Sequence, residues 1–167
     1  AVITARGLDC VRTLVADDLP VMGHLGFIPK KATLYGGVRS IGKTAAEARR
    51  LWDDFQALED AGAFAVVLEG IPLDLAAEIT EQLTIPTIGI GAGVQCDGQI
   101  LVLHDVLGLN DGRSPKFAKR YAELWQDAEQ AIGAYVHEVQ GGTFPTDAHS
   151  FHSLVTVPRQ EKAVAEA

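Results

Sequence analysis

Apolar residues along this chain fall into short unbroken runs, and amphipathic stretches separate them. The sharpest run is Ala63-Phe-Ala-Val-Val-Leu68, which ends in Glu69 and is stopped by Gly70 and Pro72. A run of this kind predicts a strand covered on both faces, as in parallel sheets under helices. Similar runs predict strands over residues 20–27, between Pro20 and Pro29, over 86–90, leading into Gly91-Ala-Gly93, and over 100–105, ending in His104-Asp105. Ala1-Val2-Ile3-Thr4 predicts a short further strand. Between these runs the spacing turns helical. Thr44-Ala-Ala-Glu47 has the form of a capping box, in which each side chain bonds the other residue's backbone amide, and Leu51, Phe55 and Leu58 follow on one face up to Gly62. Leu75, Ile79 and Leu83 mark another helix. Asp9 is expected to cap a short helix over 9–15. From Pro115 to Val139 a stripe of Phe117, Tyr121, Leu124, Ala128, Ile132, Tyr135 and Val139 predicts one long helix that covers the sheet. The remaining stretches, 28–43 and 143–151, read as a binding loop or lid and as an irregular segment with anchoring aromatics. Strand and helix alternate, so the fold class is α/β with parallel pairing. No repeat or linker marks a second domain, and the expected organisation is one domain over 1–155 with a tail over 156–167.

The bulk numbers narrow the setting. The chain has 167 residues, enough for one domain with a core. A net charge of −8 argues against nucleic acid or an anionic membrane surface as main partner. No apolar run approaches a membrane span, and no signal peptide is visible. Cys10 and Cys96 lack metal-type spacing, so a reduced cytoplasmic compartment is expected. The only methionine is Met22, so the chain is expected to be processed, trimmed or incomplete at its start.

Candidate chemistry sits at strand ends. In α/β folds reactions take place at the carboxyl ends of parallel strands, where Glu69 falls. Apolar surroundings disfavour the charged form of a carboxylate, which suits a general base working near neutral pH. The plainer reading is a glutamate at the core's edge, facing water. His24, within or at the end of its strand, reads as a hydrogen-bonded core residue or as a ligand or catalyst. His104-Asp105 either lines a site or pairs with a neighbouring loop. Gly89-Ile-Gly91-Ala-Gly93 lacks the spacing of a dinucleotide fingerprint, and close backbone approach is the favoured explanation.

Taken together, Val21-Met-Gly-His-Leu-Gly26, Ala61-Gly-Ala-Phe-Ala-Val-Val-Leu-Glu69, Ile85-Pro-Thr-Ile-Gly-Ile-Gly-Ala-Gly93, Cys96-Asp-Gly-Gln-Ile-Leu-Val-Leu-His-Asp105, Pro115-Lys-Phe-Ala-Lys-Arg-Tyr121, Gly142-Thr-Phe-Pro145 and His149-Ser-Phe151 resemble the ketopantoate (3-methyl-2-oxobutanoate) hydroxymethyltransferase family. The resemblance runs from about Leu19 to His152. It implies a (βα)8 TIM barrel, incomplete here, of which this chain supplies roughly strands four to eight. It also implies transfer of a hydroxymethyl group from 5,10-methylenetetrahydrofolate to 3-methyl-2-oxobutanoate, giving 2-dehydropantoate in pantothenate biosynthesis. Glu69 aligns with the family's base, while His24 and His104 are candidates for lining the substrate site. Magnesium is implied as cofactor, with its aspartate ligands expected in the missing N-terminal strands, so no metal ligand is assigned in this chain. The resemblance also implies small-molecule substrates and a homo-oligomer. Two stretches depart from the family pattern. A lysine and a glutamate in a Val-Lys-Leu-Glu-Gly-Gly pattern correspond here to Val2-Ile3-Thr4-Ala5-Arg6-Gly7, and Thr-Pro-Gln-Ser corresponds to Ile28-Pro29-Lys30-Lys31. The alternatives are therefore a paralogue acting on another 2-oxo acid and an inactive homologue lacking the metal site.

Overall fold

The computed structural model describes residues 1–112 and 114–154. These fall into two compact units, Ala1–Ala122 and the residues from Glu123 onward. The expected tail over 156–167 lies outside the described residues.

The first unit is built on five parallel strands: β1 (Val2–Thr4), β2 (Val21–Gly26), β3 (Ala65–Glu69), β4 (Thr87–Ile90) and β5 (Gly98–Gln99). Their order in the sheet equals their order in the chain. Each connection therefore moves one place onward, an arrangement compatible with a stretch of barrel wall. Helices α1 (Leu8–Ala16), α2 (Ala45–Asp60) and α3 (Leu73–Gln82) supply the crossovers.

Strand alternation decides what each face holds. Val21, Val66 and Leu68 join Leu51, Phe55 and Leu58 of α2 and Ala76 and Ile79 of α3 in one buried cluster. That is the helix-covered face. All five residues of β3 are buried, as the unbroken apolar run predicts. Met22, His24, Ala65, Val67 and Glu69 alternate with the cluster-facing residues and so belong to the opposite face. In register, His24 stands beside Val67 and Gly26 beside Glu69.

The start of α2 differs from a simple capping box. Thr44 accepts the Glu47 amide at 3.2 Å, as expected. The Glu47 carboxylate instead reaches past the cap, accepting from the Gly42 and Lys43 amides at 3.1 and 3.2 Å and from Arg39 at 2.7 Å. It thereby closes the loop after the 3-10 segment Pro29–Tyr35, and Arg39 with these amides holds the carboxyl down at about 2. In α1 the cap is Gly7 rather than Asp9, which lies in the first turn and pairs with Arg12 at 3.3 Å.

Two predicted elements change. The apolar run 100–105 is not a strand. The ladder ends where the Ile100 amide bonds the Gly89 carbonyl, and Asp105 and Val106 both donate to the Val102 carbonyl, turning the chain into the short helix α4 (Leu103–Leu107). His104 therefore lies in a helix. The helix expected from Pro115 begins only at Leu124. Over 115–122 tertiary bonds outcompete the periodicity: Tyr121 donates to the Val106 carbonyl, and Arg120 bonds Ser114 and Asn110.

The second unit contains α5 (Leu124–Gln140), ended by Gly141, and a 3-10 turn, Asp147–His149. Within it Phe144 packs between Tyr135, edge-on, and His149, tilted, with ring centroids 5.6 and 5.1 Å away. Phe144 thus anchors that irregular segment as expected, whereas Phe151 is fully exposed and does not.

Candidate active site

The carboxyl ends of β2 and β3 place the first unit's most distinctive polar pair. Glu69, the last residue of β3, is 8% exposed, and its Oε2 lies 2.9 Å from His24 Nε2. The two side chains come from adjacent strands and from the face without helices. His24 sits two residues before Gly26, whose register partner is Glu69, so both side chains project to the same side and meet diagonally. The two sequence readings of His24 merge: it is hydrogen-bonded, and its partner is the candidate base. The bond is made by Nε2, and the tautomer of the ring sets which atom donates.

The backbone around Glu69 is held from three directions. Its carbonyl accepts the Phe27 amide at 2.7 Å, extending the ladder beyond β2. The next amide, Gly70, donates to the Ile90 carbonyl at 2.9 Å, and the Gly70 carbonyl accepts from Ile41 at 3.0 Å. Ile41 belongs to the loop that Glu47 closes, so a carboxylate on α2 indirectly fixes the strand end carrying Glu69. Gly26 is the tightest point. A Cβ there would lie 2.3 Å from the Glu69 carbonyl oxygen, and its φ of +89° falls in the left-handed region. The pattern Val-Met-Gly-His-Leu-Gly carries this requirement, although only the register reveals what Gly26 faces. The glycines after β4 are close-approach positions too: a Cβ on Gly91 would meet the Phe117 ring at 2.6 Å.

Beside the pair lies an open cavity of about 610 Å³. His24 forms part of its wall, along with Ile3, Arg6, Leu14, Ile28 and Lys30. His104 is exposed on α4, and no contact among the described residues connects it with His24 or Glu69. Cys96 is a buried thiol, pushed up by burial, and sits beside Thr80 and Thr87 in a cluster joining α3 to β4. Among the described residues no group of three or more His, Cys, Asp or Glu side chains could hold a metal ion. No helix among them is long and apolar enough to cross a membrane.

Comparison with known proteins gives one consistent answer. A family profile described as ketopantoate hydroxymethyltransferase matches residues 3–147. The protein from Geotalea uraniireducens named 3-methyl-2-oxobutanoate hydroxymethyltransferase is 54% identical over 155 residues, covering 91% of this chain and 58% of its own length. Proteins of the same name from Geobacter metallireducens and Gluconacetobacter diazotrophicus are 53% and 56% identical, covering 86% and 84% of this chain and 54% and 50% of theirs. The chain thus spans about half the length of the curated relatives it matches.

Proposed function

Because this chain belongs to the ketopantoate hydroxymethyltransferase family, we propose that it forms part of an enzyme transferring a hydroxymethyl group to 3-methyl-2-oxobutanoate, with Glu69 as the base. The observation that carries the reading is the buried Glu69, bonded to the half-buried His24, at the end of a parallel strand. Carbon 3 of the oxo acid adjoins a ketone, so its proton is acidic enough for a carboxylate to remove. The C3–H bond breaks, the proton goes to Glu69, and the electron pair moves towards the keto oxygen. The proposed donor is 5,10-methylenetetrahydrofolate. Water cleaves both C–N bonds of its methylene bridge, releasing tetrahydrofolate and a formaldehyde unit. The nucleophilic carbon adds to that carbonyl carbon, whose oxygen takes up a proton and becomes the hydroxyl. His24 holds one carboxylate oxygen, which leaves Oε1 to take the proton. The same bond stabilises the carboxylate against rotation away from the substrate.

The described residues do not fit a magnesium site: Glu69 and His24 satisfy each other, and no third ligand stands with them. No step is derived through the metal. The same proposal includes the closed (βα)8 barrel with these strands as roughly its fourth to eighth, His104 at the substrate site, a homo-oligomer and a cytoplasmic setting. The test is hydroxymethyl transfer and C3 proton exchange into D2O, both followed by NMR. Glu69→Gln keeps the shape and removes the base, so exchange should fall at least about a hundredfold, in line with the usual contribution of a positioned base. Full exchange by the variant would remove Glu69 from this role.

A further inference from the structure

Another cavity, of about 230 Å³, lies between the end of β2, the 3-10 segment Pro29–Tyr35 and the first half of α2. It is smaller than the roughly 300–1,000 Å³ of pockets that take drug-sized molecules, so it suits a small guest. Leu25, Ile28, Ile41 and Leu51 make part of its wall apolar. The rest is charged. Arg39 and Glu47 neutralise each other at 2.7 Å, and Lys31 Nζ donates to the Ala5 carbonyl at 3.4 Å. Arg50 and Asp54 remain. They stand four positions apart on α2, a spacing at which opposite charges ordinarily pair. Yet neither has an ion pair or a hydrogen bond among the described residues, and Arg50 and Lys31 act on Asp54 through their charge alone. One position back on the same helix, Arg49 and Asp53 have the same spacing and do pair, at 3.2 Å. Arg50 and Asp54 line the cavity, whereas Arg49 and Asp53 do not.

We propose that this cavity binds a small aliphatic α-amino acid, with Arg50 on its carboxylate, Asp54 on its ammonium and its side chain packed against Leu25, Ile28, Ile41 and Leu51. A zwitterion carries both charges on one carbon, so a single molecule bridges a cation and an anion that stand apart on one helix face. Each contact is a charge-assisted hydrogen bond, and a guanidinium and a carboxylate without internal partners give up no protein contact to make it. A plain carboxylate would meet Asp54 as a like charge, and a plain amine would meet Arg50 in the same way. The chain's net charge of −8 disfavours a free anion and leaves a neutral zwitterion unopposed. Neither Glu69 nor His24 lines the cavity, so binding here does not depend on the reaction proposed above.

The test titrates the 167-residue chain with L-leucine and, separately, with 4-methylpentanoate, which lacks the ammonium, and 3-methylbutylamine, which lacks the carboxylate, following binding by calorimetry. Leucine should bind saturably, and each analogue at least about tenfold more weakly. Arg50→Ala should bring leucine down to the level of the amine. Asp54→Asn, which keeps the shape and removes the charge, should bring it down to the level of 4-methylpentanoate. Arg49→Ala removes a neighbouring cation outside the cavity and should leave leucine binding unchanged. All three positions are exposed, and circular dichroism checks that each variant folds. No saturable leucine binding by the wild type overturns the site, as does unchanged binding in Arg50→Ala or an equal loss in Arg49→Ala. An analogue that binds as tightly as leucine overturns the recognition of a zwitterion.

Discussion

Replacing Gly26 with alanine tests the geometry that places Glu69. The added Cβ would sit 2.3 Å from the Glu69 carbonyl oxygen and 2.8 Å from Ile71 Cγ2. Neither neighbour yields easily. The carbonyl is the acceptor of the 2.7 Å bond from Phe27, and Ile71 is buried in the core. Overpacking of this kind costs roughly 1–3 kcal/mol. The backbone adds its own strain, because a φ of +89° suits glycine, and an L side chain in the left-handed region costs roughly 1–2 kcal/mol. The two contributions sum to roughly 2–5 kcal/mol, a large share of the 5–15 kcal/mol typical of a folded domain. Urea unfolding monitored by circular dichroism measures the loss as a lowered midpoint at unchanged slope. Gly133→Ala serves as the opposite control. Gly133 lies inside α5 with open space around its Cβ position, so alanine there should stabilise by roughly 0.5–1 kcal/mol. Should Gly26→Ala cost less than about 1 kcal/mol, the close approach between β2 and the carbonyl of Glu69 is not a constraint. The account of how Glu69 is positioned would then fail.

Further outcomes follow from the core and the loop anchor. Phe55 is 1% exposed at the centre of the cluster between α2 and the sheet, so Phe55→Ala should cost roughly 3–5 kcal/mol in the same unfolding assay. The Glu47 carboxyl is held at about 2 against an ordinary 4.5, so its stabilising effect is complete above about pH 4.5 and drains away as pH falls towards 2. Glu47→Gln should flatten the acid limb of the stability–pH curve in that window. An unchanged acid limb would show that the bonds to Arg39, Gly42 and Lys43 are not what depresses the carboxyl. Because that loop delivers Ile41 to the Gly70 carbonyl, the same variant should also slow C3 proton exchange, measured at neutral pH, while leaving oxo-acid affinity intact.

Where a single local signal decided the outcome, the sequence was readable. The unbroken run before Glu69 can be satisfied only by burial on both faces, and β3 is buried throughout. Thr44 marks the start of α2 because its oxygen meets an otherwise unpaired amide. Where two signals compete, periodicity misleads. Phe117 and Tyr121 continue the stripe of α5, but Phe117 fills the space that Gly91 leaves, and Tyr121 bonds back to Val106. The run around Val102 and Leu103 looks like a strand, yet both residues are exposed and the sheet has already ended. The union of His24 with Glu69 could not be seen in the sequence, since 45 positions separate them and only strand register brings them together.

That long separation has a practical use. Gly36 and Gly37 stand in open space between β2 and α2, next to a largely exposed Val38, whereas the Arg39–Glu47 clamp lies wholly beyond them. Severing the peptide there would leave the imidazole on one piece and the carboxylate on the other. Under the proposed chemistry neither piece would deuterate the oxo acid alone, and recovery of that reaction on mixing would make the protein a self-reporting pair of complementary fragments.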